Sequence, residues 1–355
     1  MIGTTNIGFS FTVAFKSWET QKGFPIVHVT LDDVNGNFRV NQQRYLAASE
    51  DRILNDERKW YIPINYATSS NPNFEDTSFT NYFTNGPQRT LTIPYPDQFD
   101  STQWFIFNKQ QLGYYRVDYD VKNWNNLIQV LNSDDFNQIH VLNRAQLVDD
   151  ALNLAFDGYL SYDIAFGVLS YLSREIDYVP WRAAINNLDK LEILLKDSQE
   201  NFSRFVRHLL RRMYVIMGTE DKLGEILPQK YARELVVDWT CKMGDEKCLE
   251  MAYNKVQEMT KEDLKVPSNL EVSYICNGLK RLNMDNEVEK LFSRLQKSND
   301  QTERLRIIDG LLCSTDPKLI MQLLESTLID AVQINYKQHE RTRILNNVLI
   351  RSSIG

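Results

Sequence analysis

Residues 103–120 decide the fold of this chain, and they read QWFIFNKQQLGYYRVDYD. Before this stretch the sequence has the pattern of strands and turns, and after it the pattern of helices. Tyr115, Val117 and Tyr119 alternate with polar residues, as in a half-buried strand. Gly113 can take a positive φ that would bend the path of the chain, and the hinge interpretation uses this conformation. The stretch therefore predicts a hinge between two architectures.

Residues 24–107 have the period of two that strands require. The alternation begins at Ile26, and the segment DVNGN at 33–37 reads as a hairpin turn. Pro63 marks an edge strand, because proline cannot donate to a ladder. Several short strands separated by turn residues predict a small β-sandwich.

Beyond residue 120 the apolar residues follow the helical period. The clearest stripe consists of Phe202, Phe205, Val206, Leu209, Leu210, Met213, Tyr214 and Met217. Ser161 is a predicted N-cap, and Pro180 suits the first turn of a helix. Helices joined by short links form antiparallel pairs, and many pairs form a curved solenoid, although no exact repeat period occurs. The fold class is thus α+β and multidomain, with a small β-sandwich followed by an all-α superhelix. We expect HEAT- or armadillo-like helical repeats in this superhelix, although the pattern alone does not name a repeat family.

Composition is that of an ordinary globular protein, since 43% of the residues are hydrophobic and 25% are charged. The net charge of −7 argues against a nucleic-acid partner, because phosphate binding needs a clustered basic surface. The basic residues Arg207, His208, Arg211 and Arg212 have helical spacing and are expected to form a solvated face. Neither a membrane span nor a signal peptide is predicted.

The four cysteines are Cys241, Cys248, Cys276 and Cys313. Three pairings are open from the sequence alone. A zinc site is not expected, because there is no Cys-x-x-Cys motif and no histidine nearby. The triplet Asn201-Phe202-Ser203 is a glycosylation sequon, which fits an exported protein.

No catalytic or metal-ligating residue is expected in this chain. A zinc peptidase helix needs two histidines one turn apart with a glutamate beside the first. Residues 339–343 read HERTR, but Arg343 stands where the second histidine would be, and a guanidinium has no lone pair to give. This segment is expected to be a polar helix face. The four histidines, none at ligand spacing from another, are His28, His140, His208 and His339.

Two acidic pairs could in principle serve acid–base chemistry. They are Asp149 with Asp150, and Asp32 with Asp33. A charge at a helix N-terminus and a turn, respectively, are the favoured interpretations. No nucleotide-binding loop and no Gly-x-Ser-x-Gly motif occurs.

The hinge resembles a motif of the M1-family zinc aminopeptidases, Asn...Gly-Tyr-Tyr-x-Val-x-Tyr-Asp, which joins that family's β-sandwich to its C-terminal helical domain. The residues that fall on this motif are Asn108, Gly113, Tyr114, Tyr115, Tyr119 and Asp120. The lead-in NKQQ is most similar to the insect gut aminopeptidase N branch.

Other segments extend the resemblance over essentially the whole chain. Trp18, Gln21, Gly23 and Pro25 resemble the Trp-x-x-Gln-x-Gly-x-Pro signature that closes the family's catalytic domain, with Phe15 in place of the usual methionine. Two segments resemble motifs of the helical domain, namely 143–151, with Asn143, Arg144 and Asp150, and 171–181, with Glu175 and Trp181.

The resemblance implies three regions. Residues 1–22 would be the last helix of a catalytic domain that is otherwise missing, 23–105 the β-sandwich, and 106–355 a truncated helical domain. The parent enzyme would remove N-terminal amino acids from peptides with zinc and a glutamate base that lie outside this chain. This portion would form the sandwich and a helical arch over the catalytic chamber, would hold no cofactor, and would be inactive alone.

The resemblance also implies the disulfides Cys241–Cys248 and Cys276–Cys313 and an oxidising compartment. The protein would lie on the extracellular face of the plasma membrane, with a GPI anchor at full length. Its expected partners are the catalytic domain and, in the parent, peptides. An alternative hypothesis is a protein- or glycan-binding module, for example a docking site for bacterial pore-forming toxins. An unrelated helical scaffold would instead predict free thiols.

Overall fold

A computed structural model describes residues 10–48, 58–83, 90–96, 100, 102–260, 266–280, 285–314, 316–328 and 335–352. The described chain is mixed α/β and mostly helical. It divides by packing into two compact units, 1–196 and 197–355. This division falls inside the helical part and not at the predicted hinge. Of the predicted catalytic-domain helix at 1–22, residues 1–9 lie outside the described residues.

The first unit contains all the described strands. Its elements are α1 (Phe11–Glu19), β1 (Pro25–Asp32), β2 (Asn37–Arg44), β3 (Ile62–Ile64), β4 (Tyr66–Thr68), β5 (Asn81–Phe83), β6 (Thr90–Pro94), β7 (Phe105–Phe107), β8 (Arg116–Tyr119), α2 (Val121–Leu131), α3 (Val141–Phe156), α4 (Tyr162–Leu169) and α5 (Tyr178–Leu194). Short 3-10 turns lie at Lys109–Gln111, Phe136–Gln138 and Ser170–Ser173.

The strands form one four-stranded sheet, in the order β6-β2-β1-β8, and the two-stranded pairs β3-β5 and β4-β7. The predicted turn at 33–37 joins β1 to β2 as an antiparallel hairpin. Strand β8, from the hinge, lies parallel to β1, with Ile26 opposite Arg116 and Val29 opposite Tyr119. Alternate residues of this sheet, such as Val40 and Val117, are fully buried. The sheet thus presents one apolar face, as the period of two predicts.

The hinge also starts the helical part. Asp120 caps α2, because its Oδ1 accepts a hydrogen bond from the Asn123 backbone N–H at 2.8 Å, and its Oδ2 accepts one from the Leu31 N–H at 3.0 Å. Strand β7 has a partner on one edge, and its other edge is satisfied by side chains. The Phe105 N–H donates to Asn123 Oδ1 at 3.1 Å, and the Phe107 N–H donates to the Tyr119 hydroxyl at 2.9 Å.

The second unit is all-helical in its described part. Its elements are α6 (Gln199–Met217), α7 (Leu227–Lys242), α8 (Glu246–Met259), α9 (Glu271–Gly278), α10 (Asp285–Lys297), α11 (Gln301–Leu312), α12 (Pro317–Leu328) and α13 (Gln338–Ser352). Most helices pack on a neighbour in sequence, in the pairs α6–α7, α7–α8, α8–α9, α10–α11 and α12–α13. Helix α9 also packs on α7 and α11, and α13 packs on α11. The HEAT- or armadillo-like form of this unit stays a prediction.

The apolar stripe of α6 is buried on one side of that helix. Its fully covered members are Phe202, Val206, Leu209, Leu210, Met213 and Met217. Phe205 and Tyr214, which the helical template also selected, are only half-buried. Cys241 is joined to Cys248 and Cys276 to Cys313, the same pairs that the family resemblance implied. The first disulfide links α7 to α8, and the second links α9 to the end of α11.

Candidate functional site

The hinge loop between β7 and β8 is closed by Asn108. Its side-chain Nδ2 donates to the Gly113 carbonyl at 3.0 Å, and its Oδ1 accepts from the Gly113 N–H at 2.8 Å. The expectation of a positive φ at Gly113 is wrong, because the left-handed conformations fall on Asn108, Gln110 and Gln111. Gly113 serves close packing instead, since a Cβ there would lie 2.1 Å from Cε1 of Tyr115.

Lys109, in the same loop, is a buried cation with 6% of its surface exposed. Its ammonium donates to the carbonyls of Asn73, at 3.2 Å, and Asp76, and its backbone N–H donates to Asn65 Oδ1 at 2.8 Å. Burial lowers the pKa of Lys109, against the opposing effect of the Asp76 charge. These bonds tie the hinge to the 71–76 loop.

Helix α3 binds the backbone of the hinge through Asn143. The Gln110 N–H donates to Asn143 Oδ1 at 2.8 Å, and Asn143 Nδ2 donates to the Asn108 carbonyl at 3.0 Å. Asn143 Nδ2 also lies 2.7 Å from Gln146 Oε1. The structure therefore brings Asn108 and Asn143, 35 residues apart, into one buried network. Such a network fixes one arrangement of strand and helix, because unmade buried hydrogen bonds are costly.

Asp150 continues this network and is 2% exposed. Its Oδ1 lies 2.9 Å from Arg116 Nη1, and its Oδ2 accepts from the Val117 N–H at 3.0 Å. Burial raises the pKa of Asp150 to about 7, although Arg116 opposes this shift. The favoured interpretation of Asp149 and Asp150 as a charge at a helix N-terminus is wrong, because both lie in the middle of α3 and face the β8 arginine.

A second cluster contains the predicted residues Arg144, Glu175 and Trp181. Arg144 Nε lies 2.7 Å from Glu175 Oε2, and both side chains are buried. Glu175 Oε1 also accepts from the N–H groups of Ile176, at 3.0 Å, and Asp177, at 2.9 Å, where α5 begins. The indole N–H of Trp181 donates to the Glu175 carbonyl at 3.0 Å. The cluster anchors the start of α5 to α3.

The N-terminal motif residues hold α1 against the strand region. The Trp18 indole donates to the Tyr61 carbonyl at 2.9 Å, and Gln21 Nε2 donates to the Lys59 carbonyl at 2.8 Å. Gly23 has a φ of 89°, which favours glycine, and Pro25 is the first residue of β1. The Trp18 and Tyr114 rings lie 6.4 Å apart. The outer side of α1 stays open, because Phe11 and Phe15 are 73% and 56% exposed.

The four histidines lie in separate places. His28 Nδ1 lies 3.0 Å from Asp118 Oδ2, His140 caps α3, and His208 is exposed. Within the described ranges, no three His, Cys, Asp or Glu side chains are placed to hold a metal ion. Asp32 takes part in the 33–37 turn, as the favoured interpretation has it, by accepting from the Asn35 N–H at 3.3 Å.

The HERTR segment differs from the expected polar face at one position. Glu340 is fully buried, and its Oε1 lies 2.7 Å from Nε of Arg304, itself 5% exposed. The glutamate that mimics a catalytic base therefore joins α13 to α11 in a buried ion pair. His339 and Arg343 do lie toward the surface of α13.

Asn65 is a key residue that the sequence analysis missed. It is fully buried between β3 and β4, receives the Lys109 N–H, and donates to the Thr77 carbonyl at 2.7 Å. The sequence signal that could have identified Asn65 is its position as the single amide side chain within the apolar run of residues 62–67. Taken together, the motif residues form buried polar networks that position strands and helices, and none of these networks has the form of a catalytic centre.

Comparison with known proteins gives a consistent result. The family model described as "ERAP1-like C-terminal domain" matches residues 104–346. "Aminopeptidase N" of Plutella xylostella is 31% identical over 88% of this chain and 33% of its own length. "Membrane alanyl aminopeptidase" of Heliothis virescens is 28% identical over 89% of the chain and 31% of its own length. Human "Thyrotropin-releasing hormone-degrading ectoenzyme" is 26% identical over 90% of the chain and 30% of its own length. The chain thus spans about a third of the length of these relatives.

Proposed function

Since this chain belongs to the ERAP1-like C-terminal domain family, we propose that it is the C-terminal portion of an M1 zinc aminopeptidase. The parent enzyme would remove N-terminal amino acids from peptides. Residues 23–105 would form the β-sandwich and 106–355 the helical arch over the catalytic chamber. The zinc ion and the catalytic base would belong to the rest of the catalytic domain, outside residues 1–355, so this portion would be inactive alone. The match to aminopeptidases over about nine-tenths of the chain carries the proposal.

The contact to that catalytic domain would include the outer side of α1. Phe11 and Phe15 stack there with ring centroids 6.1 Å apart, and both are mostly exposed. Tyr114, from the hinge, is 72% exposed and packs between Trp18 and Phe24. Exposed apolar clusters of this kind are characteristic of protein–protein contact surfaces. In this proposal α1 is the last helix of the catalytic domain.

Two measurements test the proposal. The purified chain should not hydrolyse an alanyl anilide, whereas a chelator-sensitive rate from the chain alone would contradict it. The separately produced catalytic domain of the same gene product should bind the chain. The double variant Phe11→Ser/Phe15→Ser should weaken that binding at least about tenfold, the equivalent of about 1.4 kcal/mol. Val34→Ser is the matched control, because Val34 is also an exposed apolar residue, 92% exposed, but lies in the β1–β2 turn.

The proposed location is the extracellular face of the plasma membrane. Two disulfides support an oxidising compartment, because such bonds are rare in reducing ones. No helix within the described residues is long and apolar enough to cross a bilayer. A GPI anchor in the full-length protein, which the family resemblance implies, is the proposed attachment. Release of the full-length protein from intact cells by a phosphatidylinositol-specific phospholipase is the expected result; retention would contradict it.

A second candidate function is docking of a partner protein, such as a bacterial pore-forming toxin. It is favoured by a polar concave face on the four-stranded sheet, lined by Thr30, Asp32, Asn37, Arg39, Asn41 and Thr92. Arg39 extends from this face with 55% of its side chain exposed while it pairs with Asp32. Retention of the chain on immobilised toxin, lost in Arg39→Ala, would support this function. Equal retention of the variant, or no retention of either protein, would contradict it.

A further inference from the structure

Asn201 begins the one Asn-x-Ser/Thr triplet of the sequence, and it lies in the first turn of α6. Its side chain is exposed, whereas Phe202 and Ser203 after it are 3% and 8% exposed. An oligosaccharide on the Asn201 amide would therefore point into solvent and displace no core residue. A bulky, polar modification requires such an outward position.

The rest of this helix face is also free of core packing. Residues at positions i+3, i+7 and i+10 from Asn201 share its side of a helix. Those residues are Arg204, His208 and Arg211, and all three are exposed. The buried stripe of α6 lies on the opposite side. His208 and Arg211 of the predicted basic run thus continue the face that begins with Asn201. The prediction of a solvated face is wrong for Arg207, which is half-buried and donates to the Met243 carbonyl.

The compartment is consistent with this chemistry. All four cysteines are in disulfides, so no free thiol remains among them. Disulfides form in the secretory pathway, where Asn-linked glycosylation takes place as well. The sequon and the disulfides are independent features of the chain, and both point to passage through that pathway.

We propose that Asn201 carries an N-linked oligosaccharide, attached before α6 forms, on a helix face that stays exposed to solvent in the whole protein. The donor is an oligosaccharide on a lipid diphosphate. The Asn201 Nδ2 atom forms a bond to the anomeric carbon, the bond from that carbon to the diphosphate oxygen breaks, and one amide proton is lost. The lipid diphosphate is the leaving group, and no oxidation or reduction occurs.

The order of events follows from the geometry of α6. A transferase must recognise the Asn201 amide and the Ser203 hydroxyl together, because both define the sequon. In a helix, residues i and i+2 do not face the same way, and here Ser203 lies on the buried side. The folded helix therefore cannot present both groups to one active site. Transfer has to occur on the extended chain.

The test uses the full chain behind a cleavable secretion signal, made in eukaryotic cells. We expect a glycan at residue 201 in the intact mass, and its removal by an amidase specific for N-glycans, which leaves aspartate at that position. Asn201→Gln and Ser203→Ala should each abolish the mass difference. Asn186→Gln is the matched control, because Asn186 is an exposed helical asparagine outside any sequon, and it should keep the full difference.

The order of events has its own measurement. Purified, folded, unglycosylated chain is offered to oligosaccharyltransferase and lipid-linked donor, beside a synthetic peptide of residues 197–207. We expect the peptide to be modified and the folded chain to remain unmodified. Modification of the folded chain at Asn201 to the same extent as the peptide would overturn the proposed order. A secreted wild-type chain that carries no glycan at residue 201 would overturn the site itself.

Discussion

Asp150 is a buried carboxylate of helix α3 that contacts strand β8. Its neighbours are Arg116, Asp149 and the Val117 N–H, and Tyr115 and Tyr119 face it from β8. Loss of water raises the pKa of Asp150 to about 7, because burial penalises the charged form more than Arg116 stabilises it. At the scale of single residues, pH is therefore expected to act on the hinge through this group.

The stability of the chain should depend on the Asp150 proton. Between the unfolded pKa of about 3.9 and the folded pKa of about 7, the folded state holds one proton more than the unfolded state. This group's contribution to the free energy of unfolding therefore falls as pH rises through that window, by up to about 1.4 kcal/mol per pH unit. In Asp150→Asn this contribution should be absent. Urea unfolding of both proteins at several pH values measures the difference.

Val148→Ala is the control for this measurement. Val148 is fully buried on the same helix and carries no titratable group, so the variant should lose stability equally at every pH. Parallel pH curves for wild type and Asp150→Asn would contradict the prediction.

Helices α11 and α13 are joined by two ion pairs of the same chemistry in different surroundings. Arg304 and Glu340 are buried, with Nη2 and Oε2 2.8 Å apart. Arg343 and Asp309 are partly exposed, with Nη2 and Oδ2 2.7 Å apart. The buried pair constrains how the two elements pack, because a buried charge without its partner is costly, whereas water can replace the outer pair.

Glu340→Gln should destabilise the chain by about 3 kcal/mol, because it leaves the Arg304 guanidinium buried without its counter-charge. Asp309→Asn, on the partner helix, should cost less than about 1 kcal/mol. Chemical denaturation of the two variants beside wild type tests this ranking. Equal losses of stability in the two variants, or a larger loss in Asp309→Asn, would show that burial does not decide how much each ion pair contributes to stability.

At the scale of the whole molecule, the described chain consists of two compact units, and both disulfides lie in the second. The core of the second unit is one apolar cluster, which includes Val237, Tyr274, Leu311 and both cysteines of the first disulfide. The second disulfide closes a loop of 37 residues and the first a loop of 7. A cross-link across a longer loop constrains the unfolded chain more strongly.

Removing the long-loop disulfide should therefore cost more than removing the short one. On the chain-entropy model, Cys276→Ser/Cys313→Ser should lose about 4 kcal/mol and Cys241→Ser/Cys248→Ser about 2.5 kcal/mol. Unfolding in denaturant without reductant measures both losses. If the first double variant proved the more stable of the two, local packing would outweigh loop entropy. Adding reductant to wild type should cause a loss at least as large as that of either variant.

The sequence by itself determined that strands come before helices and where several of these elements lie, because both depend on local periodicity and capping. The change from strands to helices at residues 103–120, the turn at 33–37 and the N-cap Ser161 all follow from neighbouring residues. The family resemblance of the chain was also evident at this level. These features need no knowledge of which segments meet in space.

Only the tertiary structure decided which polar residues are buried and what they bind. Asp150 meets an arginine 34 residues earlier in the chain, Glu340 meets one 36 residues earlier, and Lys109 finds carbonyls 33 and 36 residues earlier. The role of Gly113 was likewise set by the approach of the Tyr115 ring and not by its own φ. Burial and pairing of this kind depend on contacts between distant segments, which a periodic pattern cannot specify.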